Sequence, residues 1–248
     1  MDDAIRYLTR PDGARLAWRA IKGAGPTVVW LGGFRSEMAA TKADALAAWA
    51  KAAGHGFLRF DYFGHGVSDG DFRAGTISRW RDDALALLDE LVEGPAVLCG
   101  SSMGGWLACL AAIARPERVK AMVLIAPAAD FTEKLMGPEL SDEARAALAA
   151  DGVWMRPSAY GDPYPITQAL FDDGARWSIL PGPVPIEVPV RVLQGGADPD
   201  VPWTHALELA NELKSPDVVF TLIKDGDHRL SRPQDIARLI AAVEELVA

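Results

Sequence analysis

Residues 96–109 read AVLCGSSMGGWLAC. This stretch decides the fold. Ala96-Val97-Leu98-Cys99 is a short apolar run of the kind that forms a buried strand, and Trp106 through Ala112 is apolar enough for a packed helix. Gly100-Ser101-Ser102-Met103-Gly104 joins the two as G-x-S-x-G, the pattern of a very tight strand-to-helix turn. Small residues two before and two after the serine are needed there, because a side chain would strike the helix or the strand. The turn pushes the Ser102 hydroxyl clear of the sheet, beside the positive end of a helix, which is a nucleophile's position. Only Ser102 fits the register, since Ser101 would need glycines where Cys99 and Met103 stand. Alone, the five residues also suit a plain flexible turn, so the flanking chain has to supply the rest of a site.

Outward from this stretch, strands alternate with helices. On the N-terminal side, Thr76 starts a long helix through Trp80, Leu85, Leu88 and Leu91 that ends before Gly94-Pro95. Phe57–Phe60 reads as a strand, a helix spans about Met38 to Ala53, and Thr27–Leu31 is a continuous apolar strand ending in Gly32-Gly33-Phe34. Continuous runs of this kind belong to parallel strands covered on both faces. Ala96–Cys99 is thus the third strand of a βαβαβ succession. Ile5–Thr9 and Arg15–Arg19 alternate around Pro11-Asp12-Gly13 and predict an antiparallel hairpin at one sheet edge.

On the C-terminal side, Val119–Ile125, Val190–Gln194 and Val218–Ile223 read as strands, with helices over Trp203–Leu213 and Pro233–Val247. The alternation breaks between about Phe131 and Pro189, a Pro- and Gly-containing stretch with a helix-like piece at Asp142–Ala150. It carries the aromatics Trp154, Tyr160, Tyr164, Phe171 and Trp177 and no strand pattern of the core type. It reads as a cap over residues 132–188, inserted into a core formed by residues 1–131 and 189–248 and acting as a lid or pocket wall. The fold class is α/β, a mostly parallel central sheet with helices on both faces and an inserted cap.

Composition narrows the partners. The 248 residues are 50% hydrophobic and 24% charged, with a net charge of −9, which argues against nucleic acid and against adsorption to anionic membranes. No apolar run approaches the ~20 residues that span a bilayer. Cys99 and Cys109 flank the turn without metal-ligand spacing and read as reduced core residues. Met1-Asp2-Asp3-Ala4-Ile5-Arg6 has no basic region followed by an apolar core, so neither a signal nor a transit peptide is expected, and the expected location is cytoplasmic.

The strand ends carry the chemistry. In open parallel sheets, active groups gather at the carboxyl ends of strands. After Val190–Gln194 come Gly195-Gly196-Ala197-Asp198-Pro199-Asp200, and after Val218–Ile223 come Lys224-Asp225-Gly226-Asp227-His228. A serine hydroxyl is a weak nucleophile at neutral pH and needs a base, for which imidazole is suited. The imidazole needs a carboxylate to fix its tautomer and stabilise its cation. His228 is the candidate base, because His55, His65 and His205 all lie away from the final strand-to-helix loop. Asp198 lies nearest its strand end and is favoured for the carboxylate, with Asp200 as competitor; Asp225 and Asp227 read as solvated turn residues, either of which can modulate the imidazole. Acyl transfer also needs donors for the oxyanion. The backbone N–H of Met103 is one candidate and that of Phe34 the other, in a loop that Gly32 and Gly33 let approach closely. Arg35 and Ser36 beside it suit either a polar leaving group or the surface. No cofactor and no metal is expected.

With these residues the whole chain resembles the α/β-hydrolase superfamily. Gly32-Gly33-Phe34, Asp61-x-x-Gly64-His65-Gly66-x-Ser68, the GSSMG turn, Gly195-x-x-Asp198-x-x-Val201-Pro202 and His228 match in order. More narrowly it is similar to the branch holding a mitochondrial palmitoyl-protein thioesterase and acyl-glucuronide esterase of animals, and its bacterial relatives. Trp80-Arg81-x-Asp83, Gly94-Pro95, Gly100 through Leu107, Ala114-Arg115-Pro116-Glu117, Asp198 through Trp203 and Asp227-His228-Arg229 carry that match, which weakens in the cap. The resemblance implies a cofactor-free serine hydrolase cleaving thioesters or carboxylic esters, of a small molecule or an acylated protein, through an acyl-enzyme on Ser102. Perhydrolase or C–C bond hydrolase chemistry uses the same triad and stays open, as does a non-catalytic receptor. Dehalogenases and epoxide hydrolases use an aspartate where Ser102 stands.

Overall fold

The computed structural model describes residues 4–158 and 161–248, so Tyr160 of the cap and Met1–Asp3 lie outside the described residues. Strands β1 (Arg6–Thr9), β2 (Arg15–Ile21) and β3 (Ala24–Leu31) open the chain. Helix α1 (Thr41–Ala53), strand β4 (His55–Phe60), helix α2 (Ile77–Leu91), strand β5 (Ala96–Ser101), helix α3 (Met103–Ala114) and strand β6 (Val119–Ile125) follow. After an inserted segment, which holds two further strands and two further helices, come β9 (Val190–Gly195), α6 (Trp203–Glu212), β10 (Val218–Ile223) and α7 (Pro233–Val247). The eight strands form one sheet in the order β1-β2-β4-β3-β5-β6-β9-β10. The first two strands pair antiparallel and the other six run parallel.

Strand β5 lies near the middle of this sheet, and all six of its residues are buried. Successive side chains go to opposite faces. Ala96 and Leu98 join the core under α2, α3 and α6, while Val97 and Cys99 join the core under α1 and α7. Burial on both faces is why this strand reads as an unbroken apolar run instead of an alternating one. Helix α1 begins at Thr41, three residues later than Met38. The Met38 amide donates to Asp61 Oδ1 at 2.6 Å and Ala40 is extended, so the segment before Thr41 belongs to the loop.

The insertion between β6 and β9 holds a π-helical turn (Thr132–Met136), α4 (Asp142–Asp151), an antiparallel hairpin of β7 (Val153–Ser158) and β8 (Gly161–Thr167), and α5 (Gln168–Gly174). These elements form a cap. Its exit is pinned by Asp130, buried just past β6, which accepts hydrogen bonds from the amides of Ile179 and Leu180 and from Ser178 Oγ at 2.7–3.0 Å. Its body is pinned to α2, where Asp173 accepts from both the amide and the hydroxyl of Ser78 at 2.6 Å and Trp177 Nε1 donates to Ser78 Oγ at 2.7 Å. The hairpin is absent from the sequence reading because Pro157, Pro163 and Pro165 fall within it. Proline removes a ladder donor but is tolerated in a two-stranded ribbon whose strands are both edges.

Candidate active site

The turn from β5 into α3 places Ser102 at φ 55° and ψ −121°, a conformation costly for a residue with a Cβ. It persists because hydrogen bonds surround it: Ser102 N donates to Ile125 O at 2.9 Å, and Ser102 O accepts from the amides of Gly105 and Ala128 at 2.9 and 3.1 Å. The two glycines of the pattern are there for space. A Cβ on Gly100 would fall on the backbone of Gly104, and one on Gly104 would fall on the carbonyl of Leu31. Ser101 is buried, whereas Ser102 is partly exposed and faces a cavity.

The loops after β9 and β10 bring their polar residues to this serine. Ser102 Oγ lies 3.1 Å from His228 Nε2, and His228 Nδ1 lies 2.9 Å from Asp198 Oδ2. With Nδ1 donating to the carboxylate, Nε2 is left as an acceptor for the serine hydroxyl. The Asp198 side chain is fully buried and its acceptor sites are filled: Oδ1 accepts from the amides of Asp200 and Val201 at 2.9 Å, and Oδ2 also accepts from Gln194 Nε2 at 3.2 Å. Burial pushes its carboxyl upward, but the hydrogen bonds and charge of His228 and the two amides outweigh this and hold it below its ordinary value. Asp200, the competitor, is exposed and touches the group through its backbone amide. Asp225 is exposed in an ion pair with Arg232, and Asp227 accepts from the Leu230 amide as a turn former.

Asp198, Asp200 and His228 also hold metal-ligand-type atoms within 4.8 Å of one another. Asp198, however, spends both oxygens on N–H donors, and the imidazole nitrogens face a carboxylate and a hydroxyl at hydrogen-bond distance. That donor set suits a proton between imidazole and carboxylate better than a cation.

The loop after β3 runs against the serine. A Cβ on Gly33 would sit 3.3 Å from both Ser102 Cβ and Ser101 O, closer than ordinary contact, so glycine lets the loop lie here without displacing the serine. The Met103 amide opens α3, where the first N–H groups have no intrahelical partner. Phe34 and Met103 both line the cavity with Ser102 and His228. The loop is fixed by His65, which the sequence reading set aside. The Arg35 amide donates to His65 Nε2 at 3.1 Å, and His65 Nδ1 lies 3.2 Å from Phe63 O. Burial pushes the His65 pKa down to about 4, so the ring is neutral and can accept. Phe63 is held in turn: its amide donates to Asp83 at 2.9 Å and its carbonyl accepts from Trp80 Nε1 at 3.0 Å. This chain gives Asp61 through Ser68 and Trp80 through Asp83 a shared task behind the loop. Asp61 Oδ2 accepts from the Val67 amide at 3.0 Å, and Ser68 Oγ donates to Asp61 O at 2.7 Å. In the sequence His65 is marked by its place between Gly64 and Gly66 in the Asp61–Ser68 motif that follows a strand.

The cavity measures about 220 Å³. Phe34, Met103, Ala128, Phe131, Leu135 and Tyr164 give it apolar walls, while Arg156, Glu139 and Asp200 add charge. Of the cap aromatics within the described residues, Tyr164 lines it; Trp177 instead anchors the cap, stacking 4.3 Å from the Arg81 guanidinium. Arg35 lies over the Tyr164 ring at 4.1 Å, and the Ser36 amide closes a turn on Gly33 O at 3.0 Å.

This fold and this geometry define an α/β-hydrolase of the serine type. A family model described as "Serine aminopeptidase, S33" matches residues 25–168. The chain is 38% identical over 98% of its length to the palmitoyl-protein thioesterase ABHD10, mitochondrial, of Bos taurus, covering 80% of that protein. It is 39% identical over 98% of its length to the same protein of Rattus norvegicus, covering 82% of it. Among solved structures, a hydrolase from Agrobacterium vitis S4 superposes with a TM-score of 0.94 at 45% identity, covering 99% of both chains. Alpha/beta hydrolase domain-containing protein 10 from mouse superposes with a TM-score of 0.90 at 38% identity, covering 98% of both. The chain belongs to this ABHD10 family of α/β-hydrolases. The expected cytoplasmic location is corrected by the same comparison, because the mammalian relatives are mitochondrial proteins. Buried, reduced Cys99 and Cys109 suit any reducing compartment, and a globular core does not encode an address.

Proposed function

We propose that the chain hydrolyses thioesters and carboxylic esters through an acyl-enzyme on Ser102. Ser102 Oγ attacks the acyl carbon while His228 Nε2 takes its proton, and Asp198 holds the imidazole in that tautomer and stabilises the cation. The amides of Phe34 and Met103 donate to the oxyanion. Collapse of the tetrahedral intermediate breaks the bond to the leaving thiol or alcohol, which receives the proton from His228. Water, deprotonated by the same imidazole, then attacks the acyl-serine and releases the acid. The observation that carries this reading is the Ser102–His228–Asp198 chain, with contacts of 3.1 and 2.9 Å.

The cap, taken as residues 132–188, sets the acyl group. A thioester substrate is favoured by the thioesterase name of the mammalian relatives. The half-open cavity of about 220 Å³ is smaller than the ~300–1,000 Å³ of pockets that bury drug-sized ligands, so short and medium acyl groups fit and a palmitoyl chain would extend past the mouth. Ser102→Ala should abolish turnover of a short p-nitrophenyl ester and labelling by a fluorophosphonate; a purified variant that still hydrolyses the ester at the wild-type rate overturns the proposal.

A further inference from the structure

We infer that Lys42, on the first turn of α1, is a positioning residue that ties the segment carrying Phe34 to the loop carrying His228. Its Nζ donates to the carbonyl of Arg229 at 2.5 Å, a contact across 187 residues of sequence to the position directly after His228. Lys42 follows the loop of Gly32–Ala40, so one side chain joins the two walls on either side of Ser102.

The surroundings indicate that this contact is built. The hydrogen bond of the Lys42 ammonium goes to a neutral carbonyl, with the Asp227 carboxylate of the same loop acting on it through charge alone and the Arg229 guanidinium opposing it. Burial lowers its pKa, the mark of a cation taken partly out of water. Dehydrating an ammonium is unfavourable unless a hydrogen bond compensates, and this carbonyl supplies one. The recipient loop needs such a hold. Leu230 has φ 43°, a conformation disfavoured for a side chain of this kind, and Asp227 spends its carboxylate on the Leu230 amide at 2.9 Å. Other bonds of the loop stay on its own side of the site: Gly226 N donates to Ile223 O and Ala197 N to Gly226 O, both at 2.9 Å, Arg232 Nη1 donates to Asp225 O at 3.1 Å, and Ser231 Oγ donates at 3.0 Å to the same Arg229 carbonyl, which thus accepts from Lys42 through its other lone pair. Leu230 packs into the same core as Ala43 and Leu46 of α1, so Lys42 adds a directional bond to a contact otherwise made by apolar packing.

The inference rests on His228 acting as the base, and it is tested with Lys42→Met, which keeps the aliphatic stem, and Lys42→Arg, which keeps a cationic donor. Steady-state kinetics on a short p-nitrophenyl ester, fluorophosphonate labelling rate and Tm are measured for each full-length variant. Lys42→Met should lower kcat and the labelling rate together by about 10-fold, the scale of a small misplacement of a catalytic group, with KM within about 2-fold. Lys42→Arg should recover most of that loss. Overturning results are a Lys42→Met protein with wild-type kcat, a loss carried by KM alone, or a folded Lys42→Arg protein as impaired as Lys42→Met. Should Lys42→Met not fold, Lys42→Arg decides: near wild-type kcat upholds the inference and a tenfold loss at unchanged Tm overturns it. Ser102→Ala tests the parent reading separately, since retained hydrolysis there removes the acyl-enzyme whatever Lys42 does.

Discussion

Replacing Asp198 with asparagine changes no volume and reverses the polarity of one atom. Asp198 Oδ1 accepts from two backbone amides at 2.9 Å, so the asparagine oxygen must take that place. Its NH2 then stands where Oδ2 accepts from His228 Nδ1 and Gln194 Nε2, at 2.9 and 3.2 Å. His228 can meet this donor only by turning to the tautomer with Nδ1 bare and the proton on Nε2. That proton points at Ser102 Oγ, 3.1 Å away, and the base is lost. The loss of the correct tautomer and of cation stabilisation corresponds to about 10⁴-fold in kcat, or about 5.5 kcal/mol. The second N–H of the new amide faces the Gln194 NH2, whose hydrogens are taken by Gly195 O and Val201 O, and is left without an acceptor, which costs about 1–3 kcal/mol of stability. Asp200→Asn should change kcat by less than about 3-fold, because its exposed carboxylate does not enter the chain and its amide is kept. The assay is steady-state hydrolysis of a short p-nitrophenyl ester and a short acyl thioester, with urea unfolding in parallel. Folded Asp198→Asn enzyme within about 10-fold of wild type, or a larger effect at Asp200, refutes the assignment.

Three other outcomes are expected. His65→Ala removes the acceptor for the Arg35 amide and should lower kcat about 10-fold at little changed KM; steady-state kinetics that show only a KM effect contradict a role behind the oxyanion loop. Titration of stability by urea unfolding should separate two buried groups of opposite sign. With His65 at about 4 against an ordinary 6.5, the unfolded chain binds more protons there, so stability rises with pH across that window. With Asp83 raised by burial to about 6 from 3.8, the native state binds more protons, so stability falls as pH rises through that range. Asp83→Asn should therefore steepen the rise between about pH 4 and 6 and His65→Gln should flatten it; equal slopes in both variants argue against these environments. A thioester series should peak at short to medium acyl chains, and Tyr164→Ala, which removes a cavity wall, should shift the peak to longer ones; an unmoved optimum places the acyl group elsewhere.

The sheet was legible because Val28–Leu31 of β3, Ala96–Cys99 of β5 and Ala121–Ile125 of β6 are unbroken apolar runs, as strands buried on both faces need. The GSSMG turn was legible because two close backbone approaches demand glycine at fixed distance from Ser102. Asp198 and His228 could be nominated because a parallel sheet gathers its strand ends on one edge, and the structure brings both to Ser102. What stayed hidden depends on pairings that local pattern does not carry. His65 meets the Arg35 amide 30 residues away and Lys42 meets Arg229 187 residues away, and nothing near either residue marks its partner. The cap hairpin was concealed by its prolines, and the role of its aromatics divides by tertiary contact: Tyr164 faces the cavity while Trp177 is spent on Ser78. The compartment is not a property of the fold at all, and there the comparison with the mitochondrial relatives corrected the sequence reading.

The acyl-enzyme is the central claim, and trapping it is the direct measurement. Rapid acid quench of the protein with a short acyl thioester, followed by intact and peptide mass spectrometry, should show one added acyl group on the peptide containing Gly100 through Gly104, fixed to Ser102. Ser102→Ala should show none. An acyl group carried by another residue, or wild-type turnover by Ser102→Ala, contradicts the account.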